Sequence, residues 1–468
     1  MKGMVIGKDI FDVTPPTSFS IFIPGIVLAR MFDLSSEAGV YIITYIIFCL
    51  SFSVFLFVDN KAKILKDSDK YIFYIFYVFL FIVYYQDVFA QREHYAVILM
   101  MPYFALIASY INNTNNNISN PVKYIIGAMM GIASVIKPFF VFPVFCVVLY
   151  YIYRTKDLKI IFKVENFVLA FVAIGYFLIT YFYYIDYFTF FKNELLGFYS
   201  IDHMYMYIVI RLSHSISYLL LLFIVSFMKY KTPFNKDRSI ERVLFVASLG
   251  FYVVYLAQRK GYPYHIYPAF VLLFLCFAIH CGHALSYMIS INKSRMNIGL
   301  TIIGVIFFSV FTLTEAFTTL RFVPSTYDAE QAVMKIKKHP KILSMTRDIA
   351  QGHPLARNVK GEWVGSYPDL WGFRFVLQDT ELLLILRDNY DDLPPQQRRL
   401  FELRKRVSQN QLKVMARDIS ERKPDIIILA KNEIWNQFVF SDPDIEAAMK
   451  NYEHATDVDF IELWKRKN

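Results

Sequence analysis

The stretch Gln86-Asp87-Val88-Phe89-Ala90-Gln91-Arg92-Glu93-His94 is a dense polar knot between two runs, Tyr71–Tyr85 and Tyr95–Tyr110, that are almost wholly apolar and aromatic. Apolar runs of that length on either side of a short polar turn read as two membrane-crossing helices, one arriving and one leaving. Asp87, Arg92, Glu93 and His94 put four ionisable side chains at one membrane boundary. Charge near hydrocarbon is costly and rarely kept without use, so the knot is a candidate functional site. The bland alternative is a solvated turn. What separates the two is the side of the membrane the knot faces and what else faces it.

The chain has 468 residues, 56% hydrophobic, 18% aromatic and 19% charged, with a mean hydropathy of +0.38. A soluble domain carries about a quarter charged residues. From Arg321 onward there are 24 Lys/Arg and 22 Asp/Glu, more than half of all charges in under a third of the chain. That distribution predicts a polytopic α-helical membrane domain followed by a water-soluble tail. The net charge of +10 is therefore no nucleic-acid signature, because the tail is close to neutral and loop location explains the rest. Cys49, Cys146, Cys276 and Cys281 all fall in apolar runs, so the tail has no disulfide framework or paired-cysteine metal site. Met1–Thr14 lacks an apolar core long enough for a cleavable signal peptide.

Residues 1–37 read as an outer-face loop and an interfacial helix. Pro15-Pro16 forbids a continuous helix, and Phe19–Phe32 is apolar but short and carries Pro24, which suggests a re-entrant or interfacial segment. Residues 38–320 read as the multi-span domain. Its ten predicted spans lie at about 38–58, 71–86, 95–112, 122–137, 139–153, 167–184, 206–228, 241–257, 265–283 and 297–319.

Basic residues orient the spans. One set of alternate loops holds Lys61, Lys63, Lys66 and Lys70, then Arg154, Lys156, Lys159 and Lys163. It continues with Lys229, Lys231, Lys236, Arg238 and Arg242, then Lys293 and Arg295. The other set holds only Arg92, Lys192, Arg259 and Lys260. The first set is predicted to be cytoplasmic. The outer side then receives Met1–Gly39, the Gln91–His94 turn, the Asp186–Tyr205 loop, the Arg259–His265 loop and the tail.

The tail, residues 321–468, reads as a small extracytoplasmic α/β domain. Ile342–Met345, Asp425–Leu429 and Phe460–Trp464 are strand candidates, and Leu393–Lys423 has the spacing of one or two surface helices. Gly352-His353-Pro354 and Trp363–Trp371 place His, Asp and two Trp in a short loop. Its aromatics suit core or membrane-surface packing better than a sugar-binding lid.

The predicted outer face gathers the carboxylates Asp9, Asp12, Asp87, Glu93, Asp186, Glu194 and Asp202. It also gathers Arg92, His94, Lys137, His203, Arg259, Lys260, Tyr262, Tyr264 and His265. Gly127 and Gly131 have the small-xxx-small spacing that lets helices pack closely, and Lys137-Pro138 ends that span. A lysine there could snorkel or bind lipid phosphate. Gly261-Tyr262-Pro263-Tyr264-His265 joins polar groups to aromatic surface, although tyrosines also form interfacial belts. Glu93 and His94 are adjacent and share no helix face, so they form no zinc site of recognisable spacing.

The order of these features resembles the GT-C superfamily: a polar loop running into Pro-Pro, a re-entrant helix, a basic cytoplasmic loop, an acidic turn, and a Gly-rich span ending in Lys-Pro. These are integral-membrane glycosyltransferases that use polyprenyl-phosphate sugars, related to protein mannosyltransferases and lipid A aminoarabinose transferases. Asp9–Pro16 resembles the distal half of their first outer loop, Gly127–Pro138 their Gly-rich helix, and Gln91–His94 the position of their second acidic motif. The likeness covers about residues 1–320. It departs at the start, since such enzymes begin with a helix and an acidic motif that would lie upstream of Met1, and that motif usually supplies the catalytic base.

The resemblance implies sugar transfer from a polyprenyl-phosphate-linked donor at the outer face of the bacterial inner membrane, with membrane lipid as the medium. Asp9, Asp12 and Glu93 would serve the acceptor hydroxyl or a divalent metal ion. Arg92, His94, Lys137, Tyr264 and His265 would hold the donor phosphate or orient the carboxylate. A transporter or flippase would need charges buried in its spans. A non-catalytic envelope assembly protein is the third class.

Overall fold

The computed structural model describes residues 5–12, 14–84, 88–114, 118–190, 206–231, 239–290, 326–346, 348–368, 391 and 393–467. The chain forms two compact units. One contains Thr17–Thr180 and His203–Phe322; the other contains Met1–Pro16, Tyr181–Asp202 and Val323–Asn468. The expected leading segment 1–37 is thus divided at Pro16, and a part of the predicted multi-span region joins the tail.

The helices, in chain order, begin with α1 (Ile23–Met31), α2 (Ser36–Ala62), α3 (Asp67–Ile82), α4 (Arg92–Ile111), α5 (Asn120–Ile136) and α6 (Val141–Thr155). They continue with α7 (Val164–Tyr183), α8 (Ile185–Phe190), α9 (Met206–Arg211), α10 (Ser213–Lys231), α11 (Ser239–Gln258) and α12 (Pro263–Ser290). Among the described residues, six helical stretches are long and apolar enough to cross a membrane: Ser36–Ala62, Arg92–Ile111, Pro138–Thr155, Val164–Tyr183, Ser239–Gln258 and Pro263–His283. Ser18–Met31, Asn120–Ile136 and Ser213–Met228 are shorter apolar helices. The span expected at 297–319 lies outside the described residues. A turn of 3-10 helix, Pro16–Phe22, leads into α1, and Pro24 sits in the first turn of α1. Its missing N–H costs nothing there.

Burial separates the centre of the helical unit from its rim. The apolar window of α4 is 94% buried and that of α12 is 100% buried, against 6% for α7. α4 packs on α2, α5, α6, α11 and α12, and α12 packs on α3, α10 and α11. Short side chains let the backbones meet. A Cβ at Gly39 would run into the Gly25 carbonyl oxygen, so α1 and α2 touch backbone to backbone. Gly127 meets the Glu165 backbone of α7 in the same way, and Gly131 leaves room for the Val172 side chain of α7. Hydroxyls tie the seams: Thr44 bonds Tyr95 at 2.5 Å, Ser51 donates to the Ile98 carbonyl at 2.6 Å, and Ser248 donates to the Ala269 carbonyl at 2.7 Å. Interhelical bonds of this kind and small-residue contacts are what hold helices together in lipid.

The other unit carries a five-stranded sheet. Its strands are β1 (Lys341–Met345), β2 (Glu362–Trp363), β3 (Ile426–Ala430), β4 (Tyr452–Val458) and β5 (Ile461–Arg466), in the order β2-β1-β3-β5-β4. β1 pairs parallel with β2 and β3, while β3–β5 and β5–β4 are antiparallel. The α/β expectation holds, and its three strands appear as β1, β3 and β5. The charged stretch is one helix, Pro395–Arg422. Trp363 belongs to β2, while Trp371 lies outside the described residues. The N-terminal segment is clasped within this unit: Phe11 N–H donates to the Ser366 carbonyl at 2.8 Å. Its ring lies 5.1 Å from Tyr367 and 5.3 Å from Phe190.

Candidate functional site

Three helix ends meet in the helical unit. Glu93 sits in the first turn of α4, where the partial positive charge of a helix N-terminus favours a carboxylate. Lys137 caps the C-terminus of α5 in an extended conformation (φ −141°, ψ 130°). Pro138 imposes that conformation, since a residue before proline is pushed out of the helical region. His265 lies in the first turn of α12, which Gly261, at φ +66°, and Pro263 set up.

The Lys137 ammonium donates a short hydrogen bond to Glu93 Oε1. His265 Nε2 lies 3.4 Å from Lys137 Nζ and 3.6 Å from Glu93 Oε1. The side chains of Glu93, His265 and Lys137 are 1%, 4% and 12% exposed. Aromatic faces flank the ammonium, with the Tyr264 ring 5.6 Å and the Phe140 ring 6.0 Å away. Tyr262 stacks on Tyr264 at 5.4 Å and 9°. Arg92 and Lys260 lie within electrostatic range of Lys137 and His265.

Among the described residues, two buried polar atoms of this cluster, Glu93 Oε2 and His265 Nδ1, have no hydrogen-bond partner. Leaving a buried polar atom unsatisfied costs about 1–3 kcal/mol, more for a charge. Such atoms in a native fold mark places where something besides packing is served.

The expected residues divide into four groups. Glu93, Lys137, His265 and Tyr264 come together, with Arg92 close by. His94 has a different task from the orienting or phosphate-binding role expected of it. Ala90 N–H donates to its Nδ1 at 3.1 Å, and its Nε2–H donates to the Phe81 carbonyl at 2.8 Å. Both ring nitrogens are thereby spent on backbone, and they pin Ala90 at φ +62°, a left-handed conformation that costs a residue with a Cβ about 1–3 kcal/mol. Asp9 and Asp12 belong to the other unit. Each carboxylate accepts a local backbone bond, from Val5 N–H at 2.9 Å and Thr14 N–H at 2.7 Å respectively. Asp87, Glu194, Asp202 and His203 lie outside the described residues.

Sequence reasoning missed buried acids at other helix starts. The spans expected at about 167–184 and 241–257 leave Glu165 outside and Glu241 at an edge. The helices begin earlier, at Val164 and Ser239, and bury both. Glu241 Oε1 lies 3.3 Å from His280 Nε2, and Glu165 lies near Tyr103 and Tyr110. Asp59 is buried as well, bonded to the Tyr74 hydroxyl.

The Glu93 cluster suits a divalent cation poorly. Among the described residues it offers one carboxylate and one imidazole, and the ammonium bonded to that carboxylate already supplies the positive charge.

No protein-family model, curated protein or solved structure matches the chain.

Proposed function

We propose that the protein transfers a sugar from a polyprenyl-phosphate-linked donor to an acceptor hydroxyl at the outer face of the bacterial inner membrane, with inversion at the anomeric carbon. The observation that carries this reading is the buried Glu93–Lys137–His265 cluster, in which a carboxylate oxygen without a hydrogen-bond partner among the described residues stands beside a cation. Glu93 Oε2 takes the proton from the acceptor hydroxyl as its oxygen bonds to the anomeric carbon. The bond from that carbon to the phosphate oxygen breaks, and the phosphate leaves with the electron pair. Lys137 and His265 Nδ1–H, with Arg92 close by, meet the charge that grows on it. Tyr264 and Phe140 shield the ammonium from water and keep it a strong donor. Asp9 and Asp12 each already accept a bond within their own segment, which leaves Glu93 as the candidate base.

Glu165 and the Glu241–His280 pair favour a second reading, transport of a lipid-linked substrate, because ionisable groups buried in spans mark translocation paths. One preparation separates the two. Purified full-length protein in sealed vesicles is given a labelled polyprenyl-phosphate sugar in one leaflet only. Label covalently attached to an acceptor supports transfer; label reaching the other leaflet with the donor intact supports transport and overturns the first reading.

A further inference from the structure

The seam between α2 and α3 is a groove of about 730 Å3. Its walls are apolar, with Phe52 and Leu56 from α2 and Ile75 and Val78 from α3. It follows α3 from Lys70 to Val83, about 20 Å at 1.5 Å per residue. A leaflet of hydrocarbon is about 15 Å deep, half of a ~30 Å core. The groove therefore has the length of one lipid chain in one leaflet. Its two ends differ, since Asn60 and Lys70 close one and Val83 the other.

We propose that this groove binds an anionic glycerophospholipid of the leaflet at the chain's lysine-rich side, with its acyl chain between α2 and α3 and its phosphate on Lys70. Charge selects this occupant. Lys70 Nζ donates to Asn60 Oδ1 at 3.0 Å and lies 3.6 Å from Asp59 Oδ2. Asp59 is itself buried and accepts from Leu65 N–H at 2.9 Å and from the Tyr74 hydroxyl. The carboxylate thus positions the lysine without filling its donor capacity. An ammonium has three N–H groups, and Asn60 and Asp59 take two among the described residues. Lys61 and Lys63 are exposed in the same turn and Lys66 is half-buried, while Asp59 and Asp69 are buried. Among the described side chains, what this turn shows to a lipid headgroup is cationic, which draws anionic lipid. A zwitterionic headgroup would bring its own cation against the lysines. The inference rests on α2 and α3 crossing a membrane and is independent of sugar transfer.

The test is lipid retention by the full-length protein, purified from mixed vesicles of phosphatidylcholine, phosphatidylglycerol and polyprenyl phosphate and read by native mass spectrometry. The wild type is expected to keep phosphatidylglycerol over phosphatidylcholine by about tenfold, the scale that one or two lysines at a membrane surface supply. Lys70→Gln should bring the two near parity. Lys63→Gln touches no buried carboxylate and should reduce the preference with the fold intact, and Val78→Trp should lower retention of both lipids. Equal retention by the wild type, or an unchanged preference in both lysine variants, overturns the site. Retention of polyprenyl phosphate that Lys70→Gln and Val78→Trp both remove also overturns it, in favour of a donor-lipid groove.

Discussion

Lys137 is the residue on which the helical unit's polar cluster depends. It neutralises a carboxylate that is 1% exposed, so removing it alone strands a buried charge. Lys137→Met should destabilise the protein by about 3–5 kcal/mol, and Glu93→Gln added to it should recover much of that loss, because an uncharged pair needs no compensation. Thermal unfolding in detergent across the double-mutant cycle measures this; equal and additive losses would contradict the pairing. His94 makes a contrasting prediction. With both nitrogens on backbone, His94→Ala should cost about 1–3 kcal/mol while activity per folded molecule stays within a few-fold, as measured by transfer normalised to folded protein. The two neighbours Glu93 and His94 cannot be told apart in sequence. Both are polar residues beside a span, and only the helix start at Arg92, which turns one toward Lys137 and the other toward Phe81, gives them different roles.

At the scale of elements, close helix packing was legible and buried charge was not. Gly127 and Gly131 announced a tight seam through their spacing, and α5 meets α7 there. Gly127→Leu should therefore prevent α5 and α7 from packing and abolish recovery of folded protein in size-exclusion chromatography, while Gly175→Leu, where an added Cβ meets nothing, should be tolerated. Glu165 and Glu241 read as loop or edge residues because a hydropathy window stops at the first acid, whereas a helix can begin before it. In the sheet, β1, β3 and β5 carry apolar cores that a pattern finds. β4, Tyr-Glu-His-Ala-Thr-Asp-Val from Tyr452 to Val458, is an edge strand whose polar residues hide it. Asp425 joins β1 to β3. Burial alone would raise its carboxyl, but the Lys337 ammonium at 2.7 Å and the Lys341 N–H at 2.9 Å outweigh burial and hold it below the usual range. A carboxyl depressed in the fold stabilises above its unfolded value of about 3.9 and loses that contribution as pH falls through the folded one. Asp425→Asn should accordingly lower the unfolding midpoint of the tail at pH 7 and converge with the wild type toward pH 2. Tryptophan fluorescence reads this selectively, as all four tryptophans lie beyond residue 362.

For the whole molecule, the composition break near Arg321 made a helical region and an α/β tail readable. The joining of remote segments was not readable, because no local pattern shows that Phe11, Phe190 and Tyr367 pack together. That joining bears on topology. Met1–Pro16, Tyr181–Asp202 and Val323–Asn468 form one compact unit, so in a membrane protein they share a side. If α2 to α7 each cross, the count between them is even and α1 does not cross. Single cysteines at positions 8, 186 and 454 should then share one response to an impermeant thiol reagent added on one side of the membrane, and one at position 61 should show the opposite response. Whether Glu93 is the base is read by one comparison: transfer of labelled sugar from a polyprenyl-phosphate donor by purified full-length protein, wild type against Glu93→Gln at equal folded concentration. A loss of at least about a hundredfold is expected, the scale of a general base, with donor binding retained. Transfer by Glu93→Gln within a few-fold of the wild type would contradict it.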